Sequence, residues 1–193
     1  MKSYDSAILQ LILEAGLLKR VKRSGWWICG IKEPESVADH SFRGCLLGYV
    51  MARQEKADAL KVMLMCLFGD LHEARINDAH KLAQRYLDWD GAESKVLAAQ
   101  IKDLPQGISG ELTGLRKEYL AQKTQASRIA RDADILECLI QAEEYLQQGY
   151  AQAEKFFRKA PTFLKTSSAK KLWQSCKKAD LNEWWLKIAR FKR

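Results

Sequence analysis

Residues 57–75 read ADALKVMLMCLFGDLHEAR, and this stretch decides the fold class. From Leu60 to Phe68 it is apolar at nearly every position, which is typical of a central helix buried on all sides. Two carboxylates, Asp70 and Glu73, follow at once. Residues three apart share one face of a helix, so both acids are expected to point into the same apolar interior. Because buried carboxylates are costly unless they are paired or bind a metal, the stretch also predicts a functional site.

Helical periodicity continues on both sides of this stretch. Apolar residues recur at three- and four-residue spacings, which predicts further helices over 4–19, 37–53, 79–88, 92–103, 111–122, 126–147, 151–159, 167–178 and 181–190, with turns at 89–91 and 104–110. Ser36 and Asp39 have the spacing of a capping box, and Gly149 is placed to end the longest helix. No segment alternates as a strand does. The sequence predicts an all-α bundle of about eight to ten helices in one domain, residues 1–193.

Composition excludes several classes of protein. Hydrophobic residues make up 47% of the chain, which is too many for a disordered segment. Gln10 and Glu14 interrupt the N-terminal apolar stretch, so it fits neither a signal peptide nor a membrane span. The five cysteines are widely spaced and form no CxxC pair, which favours reduced thiols over a zinc ribbon or a disulfide framework. We therefore expect a cytoplasmic protein that is not bound to a membrane.

Positive charge is concentrated near the C-terminus. The net charge is +8, and residues 165–193 hold nine Lys and Arg against Asp180 and Glu183. A basic surface attracts phosphates or nucleic acid. A solvated helix face is the more common interpretation of such a run, so binding of nucleic acid is only the second hypothesis for this segment.

Imidazole and carboxylate groups on other helices extend the candidate site. His40 lies one turn inside the helix 37–53, and Asp132 and Asp134 lie among apolar residues of the helix 126–147. Helical bundles build metal sites from side chains on facing helices in this way. Nitrogen and oxygen ligands suit a first-row divalent metal, which lowers the pKa of bound water and polarises a phosphoryl oxygen. Each residue alone also fits a core histidine or a paired surface acid, and the residues by themselves leave that choice open.

Three ordered segments resemble the HD-domain superfamily, in the branch of 5′-deoxynucleotidases and their YfbR-like relatives. They are RSGWWICGIKEPESVADHSFR at 23–43, CLFGDLHEARIND at 66–78 and ARDADILECLIQAEEY at 130–145. The resemblance implies an HD-domain helical bundle that hydrolyses a phosphomonoester, above all a nucleoside 5′-monophosphate. It implies a divalent metal ion, with Co²⁺ or Mn²⁺ favoured and Zn²⁺, Fe²⁺ or Ni²⁺ compatible with the same ligands. The motifs end near residue 146, and residues 150–193 are expected to form a basic helical extension.

The resemblance implies a metal site that lacks one ligand. His40, Asp70 and Asp134 match the metal-binding positions, with Asp132 as the alternative to Asp134. The family places a further histidine directly before Asp70, and this chain has Gly69 there. Glycine supplies no ligand atom. The resemblance therefore leaves three protein ligands, which can still hold a catalytic metal.

The same resemblance assigns roles in substrate binding and catalysis. Glu73 matches the acid that orients or activates the attacking water, and Asp78 matches an aspartate that contacts substrate or orders the site. Asn77 replaces the glycine before that aspartate, and Asn tolerates a positive φ better than most residues. Arg23 and Trp26 match the loop that lies against the nucleotide, although a core anchor is an equal interpretation of Trp26.

Two nearby histidines are poorly placed to replace the missing imidazole. His72 is two residues past Asp70, about 200° around a helix, and His80 lies beyond the predicted helix end. Three functions remain open: a working metal phosphohydrolase, a pseudoenzyme that binds nucleotides or nucleic acid, and a structural or regulatory helical protein. The retained acids favour the first, Gly69 and the basic tail favour the second, and a homodimer is compatible with each.

Overall fold

The computed structural model describes residues 4–189, and its regular elements in that range are helical apart from one isolated bridge between Lys22 and Ser36. The α-helices are α1 (Tyr4–Leu17), α2 (Val37–Gln54), α3 (Ala59–Phe68), α4 (Glu73–Ile76), α5 (Lys81–Gln84), α6 (Trp89–Ile101), α7 (Gln106–Ala121), α8 (Gln125–Gln147), α9 (Ser167–Cys176) and α10 (Glu183–Ile188). Three short 3₁₀ helices lie at Ser24–Cys29, Ala151–Phe157 and Ala160–Phe163. The predicted all-α fold is confirmed.

The central helix of the bundle is α8. Twelve of its 23 residues are buried, and α2, α3, α7 and α9 pack against it. A capping box of Thr124 and Ser127 begins α8, and Gly149, with a φ of 98°, follows its end as the sequence predicts. One hydrophobic core runs from Ala7 on α1 to Cys176 on α9, so this part of the basic extension packs into the bundle.

The stretch that decides the fold class is two helices and not one. The predicted helix 57–75 breaks after Phe68, and a turn of four residues separates α3 from α4. The carbonyl of Gly69 accepts a hydrogen bond from Arg116 Nη1 at 3.3 Å, whereas the amide of Glu73 bonds to the carbonyl three residues before it, at 3.0 Å. A side chain therefore takes the acceptor that would have continued the helix.

The expectation that this stretch is buried on all sides is also wrong. Leu60 and Leu67 on α3 are 66% and 48% exposed, while Val62 and Met65 on the opposite side are buried. An apolar run marks a fully buried helix only when neighbouring elements cover every face. Here α2 and α8 cover one side, and the other faces solvent in the single chain.

Several predicted boundaries move. The predicted helix 79–88 contains only the single turn α5. The predicted turns at 89–91 and 104–110 are largely helical, because Asp88 and Pro105 are N-caps of α6 and α7. Asp88 Oδ1 accepts from the third amide of α6, and a proline at a helix start loses no intrahelical hydrogen bond.

The C-terminal part is less regular than predicted. A 3₁₀ helix replaces most of the predicted helix 151–159, and α9 and α10 lie within the predicted helices 167–178 and 181–190. Residue 190, the last of those predicted positions, lies outside the described residues. No helix between residues 4 and 189 combines the length and apolarity needed to cross a membrane.

Candidate metal centre

Asp70 lies in the turn between α3 and α4, and two side chains from other helices hold this turn. Arg116 on α7 bonds to the carbonyl of Gly69, and Gln100 on α6 donates through Nε2 to the carbonyl of Leu71 at 3.1 Å. Backbone acceptors outside regular structure need such partners when they are buried. The turn is thus fixed from two sides, and the carboxylate of Asp70 lies at the wall of an interior cavity.

His40 brings the carboxylates of Asp70 and Asp134 together. It lies one turn inside α2, behind the predicted capping box, in which Ser36 Oγ accepts from Asp39 N at 3.1 Å and Asp39 Oδ2 accepts from Ser36 N at 2.8 Å. The imidazole residue is 4% exposed, and its Nε2 lies 3.6 Å from Asp70 Oδ2 and 3.2 Å from Asp134 Oδ1. The structure therefore gathers the three predicted ligand residues from α2, the α3–α4 turn and α8.

A cavity of about 20 Å³ is lined by these groups, with Gly69 and Tyr119 also in its wall. This volume is enough for a single water molecule. Ligand atoms held about 2.1 Å from one metal ion lie roughly 3 to 3.5 Å from each other. The two spacings from His40 Nε2 are close to this, whereas Asp70 and Asp134 are not among the described residues whose ligand atoms all lie within 4.8 Å of one another. One imidazole nitrogen and two carboxylate oxygens also match a first-row divalent ion in chemistry. The side chains around the cavity therefore match a metal ion in the chemistry of their donor atoms.

A second layer of charge orients His40. Its Nδ1 makes a short contact with Glu137 Oε2, and Arg43 donates through Nε to Glu137 Oε1 at 2.9 Å. Arg43 also bonds to Glu144 through Nη1 at 2.7 Å. A carboxylate behind a ligating histidine fixes the ring and leaves the other nitrogen for the metal. Sequence reasoning missed this layer, although Glu137 and Arg43 each lie three residues past a predicted ligand, Asp134 and His40.

These contacts shift the pKa values of the side chains in the cluster. Burial and Arg23 oppose the charged form of His40, but its contacts with Asp134 and Glu137 outweigh them and raise the pKa of His40 well above its ordinary value. Burial would raise the pKa of Glu137, yet His40 and Arg43 hold that pKa below its ordinary value. The pKa of Asp134 is lowered despite its burial, because His40 and Arg131 stabilise the anion.

Glu73 and Asp78 lie close to the same cluster. Glu73 begins α4, is 5% exposed, and has an Oε2 atom without a hydrogen-bond partner. Burial, followed by the charges of Asp70 and Asp78, raises the pKa of Glu73 to about 10. Asp78 Oδ2 accepts from the amide of Ser24 at 2.5 Å and so ties the segment after α4 to the first 3₁₀ helix. An unsatisfied buried oxygen in a polar region is a place where a water molecule gains hydrogen bonds.

Arg23 reaches the cluster from the loop before α2. Its Nη1 lies 3.6 Å from Asp70 Oδ2, and its Nη2 donates to Cys138 Sγ at 2.9 Å. Cys138 also lies near potential ligand atoms of His40 and Glu137. Burial raises the pKa of the Cys138 thiol to about 11. The structure thus brings Arg23 to the predicted site as a guanidinium donor.

Trp26 lies in a core and not in the cavity. It is 2% exposed, packs against Phe156 and Tyr145 with ring centroids 4.3 and 5.1 Å away, and donates through Nε1 to Glu35 Oε1 at 3.0 Å. Its neighbour Trp27 is 52% exposed. This placement favours the core-anchor interpretation of Trp26 over contact with a substrate, because the residue is buried, two aromatic rings pack against it and its N–H has a protein partner.

The alternative ligand residues have other partners. His72 is 2% exposed and lies 3.3 Å from Glu93 on α6, and His80 is the N-cap of α5, where its Nδ1 accepts from a backbone amide at 3.2 Å. Asp132 Oδ2 accepts from the amides of Lys165 and Thr166 at 2.8 and 2.6 Å. Neither histidine lines the cavity, although a turn and not the predicted continuous helix separates His72 from Asp70, and the acid competing with Asp134 binds the segment before α9.

In this helical bundle one imidazole from α2 and two carboxylates, from the α3–α4 turn and from α8, face one cavity, and a buried carboxylate lies behind the imidazole. The family model of the HD domain matches residues 15–174. The chain therefore belongs to the HD-domain family, and the match extends well beyond the three motifs into α9.

Named relatives and solved structures agree with this assignment. A 5′-deoxynucleotidase from Dictyostelium discoideum is 28% identical over 159 residues, which cover 78% of this chain and 83% of the relative. A 5′-deoxynucleotidase from Danio rerio is 29% identical over 160 residues, with 78% and 76% covered. A conserved hypothetical protein from Pyrococcus furiosus superposes with a TM-score of 0.77 at 31% identity, covering 89% of this chain and 99% of that one.

Proposed function

We propose that this protein is a metal-dependent phosphohydrolase that acts on a phosphomonoester, with a nucleoside 5′-monophosphate as its substrate. The observation that carries the proposal is the arrangement of His40 Nε2 with Asp70 and Asp134 around one cavity, since imidazole and carboxylates so placed suit a divalent cation. The names of the relatives, which are 5′-deoxynucleotidases, support the choice of substrate. Co²⁺ or Mn²⁺ is the proposed ion, and the same ligands accept Zn²⁺, Fe²⁺ or Ni²⁺.

The proposed roles follow from where each side chain lies. His40, Asp70 and Asp134 hold the metal, which when bound polarises a phosphoryl oxygen and lowers the pKa of its water. Glu73 orients the attacking water through the Oε2 atom that has no protein partner. Arg23 binds the phosphate, because its planar guanidinium already lies beside the Asp70 carboxylate.

Asp78 keeps a supporting role in this proposal. Its carboxylate accepts from the amide of Ser24, the residue directly after Arg23. A catalytic guanidinium must be held within a fraction of an ångström of its working position. Asp78 therefore orders the loop that carries Arg23, and a contact with the sugar is an additional proposed role for the same side chain.

A pseudoenzyme that binds nucleotides without hydrolysing them is the alternative. Gly69 favours it, because the site then has three protein ligands and a metal is held less tightly. A role of the basic extension in nucleic-acid binding belongs to the same alternative, and it would rest on the outer lysines of α9, since Trp173 and Cys176 of that helix are buried in the core. The proposed location is the cytoplasm for both functions, since the five free cysteines stay reduced there.

Phosphate release is the direct test. Protein loaded with Co²⁺ or Mn²⁺ is expected to release inorganic phosphate from a deoxyribonucleoside 5′-monophosphate, and Glu73→Gln is expected to lower kcat by about 10²-fold or more while metal content stays equal. Elemental analysis of each preparation supplies the control for metal content. Full metal occupancy with no phosphate released from any of the nucleoside monophosphates offered would contradict hydrolysis and leave the pseudoenzyme.

Gly69→His tests the missing ligand separately. The imidazole is expected to tighten metal binding by about tenfold or more, because it adds one ligand to a first-row divalent metal. Gly69→Ala is the matched control, because a Cβ at this position lies 3.0 Å from the carbonyl of Met65 and must shift slightly in either variant. If dialysed Gly69→His retains no more metal than Gly69→Ala, position 69 is not a vacant ligand position.

A further inference from the structure

A second guanidinium lies beside two residues that line the metal cavity, and none of the three motifs assigns it a role. Arg131 precedes Asp134 by one turn of α8, and its Nη1 lies 3.3 Å from Asp134 Oδ2 and 3.3 Å from the hydroxyl oxygen of Tyr119. Both partners line the cavity. The arginine is thus attached to one metal-site carboxylate, as Arg23 is attached to the other, Asp70.

Exposure separates Arg131 from the arginines that serve the fold. Its side chain is 49% exposed, whereas Arg43 and Arg116, which hold buried carboxylates, are 26% and 14% exposed. Its two hydrogen bonds are long for charge-assisted ones, which ordinarily lie near 2.7 to 2.9 Å. Guanidinium N–H groups are therefore available to an anion that approaches the partly exposed Asp134 from solvent.

The local charge also favours an anion at this point. The carboxylate of Asp134 lies beside both His40 and Arg131. A cation bound to this carboxylate would weaken the attraction between the carboxylate and the guanidinium of Arg131. Tyr119 holds Arg131 beside the cavity, because Tyr119 lines the cavity and its hydroxyl accepts a hydrogen bond from Arg131 Nη1. An arginine so placed can turn toward a phosphate without leaving the site.

We propose that Arg131 is a second phosphate-binding residue, which grips the substrate phosphate together with Arg23, and that Tyr119 positions it. This inference rests on the proposed function for its substrate, a nucleoside 5′-monophosphate. Planar guanidinium groups bind phosphate oxygens in pairs, so two of them beside one cation give the site its selectivity for phosphomonoesters over uncharged nucleosides.

A binding titration tests the proposal in protein that carries Glu73→Gln, in which turnover is slowed. The probes are deoxyadenosine 5′-monophosphate, inorganic phosphate and deoxyadenosine, each titrated into the Co²⁺-loaded protein by calorimetry, and every Arg131 and Tyr119 variant is compared in this background. Arg131→Gln is expected to weaken the nucleotide and inorganic phosphate by a similar factor, about 10- to 100-fold, and to leave the nucleoside unchanged. Arg131→Lys keeps the positive charge but lacks the planar, paired donors of a guanidinium. Its affinities for the nucleotide and for inorganic phosphate are expected to lie between those of protein with Arg131 and those of Arg131→Gln. Tyr119→Phe is expected to weaken both phosphate probes less than Arg131→Gln does.

Arg128→Gln is the matched control. Arg128 lies three residues earlier on α8, and its Nε bonds only to the carbonyl of Gln122, at 3.4 Å in an exposed setting, so its removal is expected to change no affinity. Metal content and circular dichroism are compared across all variants. Phosphate affinities for Arg131→Gln within twofold of those of protein with Arg131, in the same background and with full metal content, overturn the role of Arg131. Wild-type protein that binds the nucleotide but releases no phosphate overturns hydrolysis alone, and wild-type protein that binds neither phosphate probe overturns both.

Discussion

At the scale of single residues, Gly69 lines two small cavities and fills neither, because it has no side chain. One is the polar cavity beside Asp70, and the other is an apolar cavity lined in part by Leu64 and Phe68. Gly69, Met65 and Tyr119 lie in the walls of both. A side chain at position 69 would have to extend into one of these spaces, so the glycine keeps them open and leaves its carbonyl accessible to Arg116.

Asn77 is a second residue at which backbone conformation decides the outcome. Its φ of 61° agrees with the predicted positive φ, but its ψ of 175° lies in a region that is populated almost only by glycine. The strain of a side chain there is about 1 to 3 kcal/mol, whereas glycine costs about 0.5 to 1 kcal/mol through the entropy of the unfolded chain. The replacement of glycine by asparagine is therefore less mild than the sequence indicates.

Asn77→Gly is expected to stabilise the protein by about 1 kcal/mol, which raises Tm by roughly 2 to 4 °C for a chain of this size. The reason is relief of backbone strain at an exposed position. Thermal unfolding followed by circular dichroism measures the change. Asn77→Ala retains a Cβ and is expected to lower Tm, and a Tm for Asn77→Gly at or below that of the wild type would show that the backbone at this position is not strained.

At the scale of elements, α8 serves two sites with two acids. Asp132 and Asp134 are two residues apart, so they point about 200° away from each other on the helix. Asp134 faces His40, while Asp132, 1% exposed, accepts from the amides of Lys165 and Thr166 and from the hydroxyl of Thr166 at 2.7 Å. One helix therefore joins the metal cavity to the segment that starts α9.

Paired substitutions on α8 separate these two roles. Asp132→Asn removes the charge from a buried carboxylate that accepts three hydrogen bonds and is expected to destabilise the fold by about 1 to 3 kcal/mol without loss of metal. Asp134→Asn is expected to weaken metal binding by about tenfold or more with a smaller effect on the Tm of metal-free protein. Urea unfolding and metal titration of both variants provide the comparison. Loss of metal from Asp132→Asn alone would reverse the assignment.

Elements whose signals are local were predictable from the sequence, and those held by distant side chains were not. The capping box of Ser36 and Asp39 is a three-residue pattern, and the structure has it. The break after α3 depends on Arg116 and Gln100, which lie 47 and 29 residues from the carbonyls that they bind. Glu137 was missed for a related reason, because an acid on a helix indicates a partner only once the neighbouring helix is placed.

At the scale of the whole molecule, one surface of the single chain is apolar. Cys45 on α2 donates to the carbonyl of Met63 on α3 at 3.5 Å, and Gly48 lies against Val62 and Cys66, so the two helices pack closely and in opposite directions. Their outer sides carry large side chains that are 37% to 74% exposed. These side chains form the α2–α3 face: Phe42, Leu46, Tyr49, Val50, Leu60 and Leu67.

The α2–α3 face is expected to be the interface of a homodimer. Six side chains of this size and exposure amount to on the order of 600 Å² per chain, near the ~800 Å² per partner that specific interfaces bury. All six side chains are apolar or aromatic, and two copies related by a twofold axis would bury the same stripe in each other. The apolar run that predicted full burial of α3 would then be buried in the assembly and not in the chain.

Light scattering coupled to size-exclusion chromatography tests this expectation. The wild-type protein is expected to have twice the 22.1 kDa mass of the chain, and Leu46→Glu, which places a charge in the middle of the α2–α3 face, is expected to have the mass of one chain. Leu9→Glu is the matched control, because Leu9 on α1 is 56% exposed against 57% for Leu46 and lies on another surface. A wild-type protein with the mass of one chain would contradict the dimer. A Leu9→Glu variant that dissociates while Leu46→Glu does not would move the interface to α1.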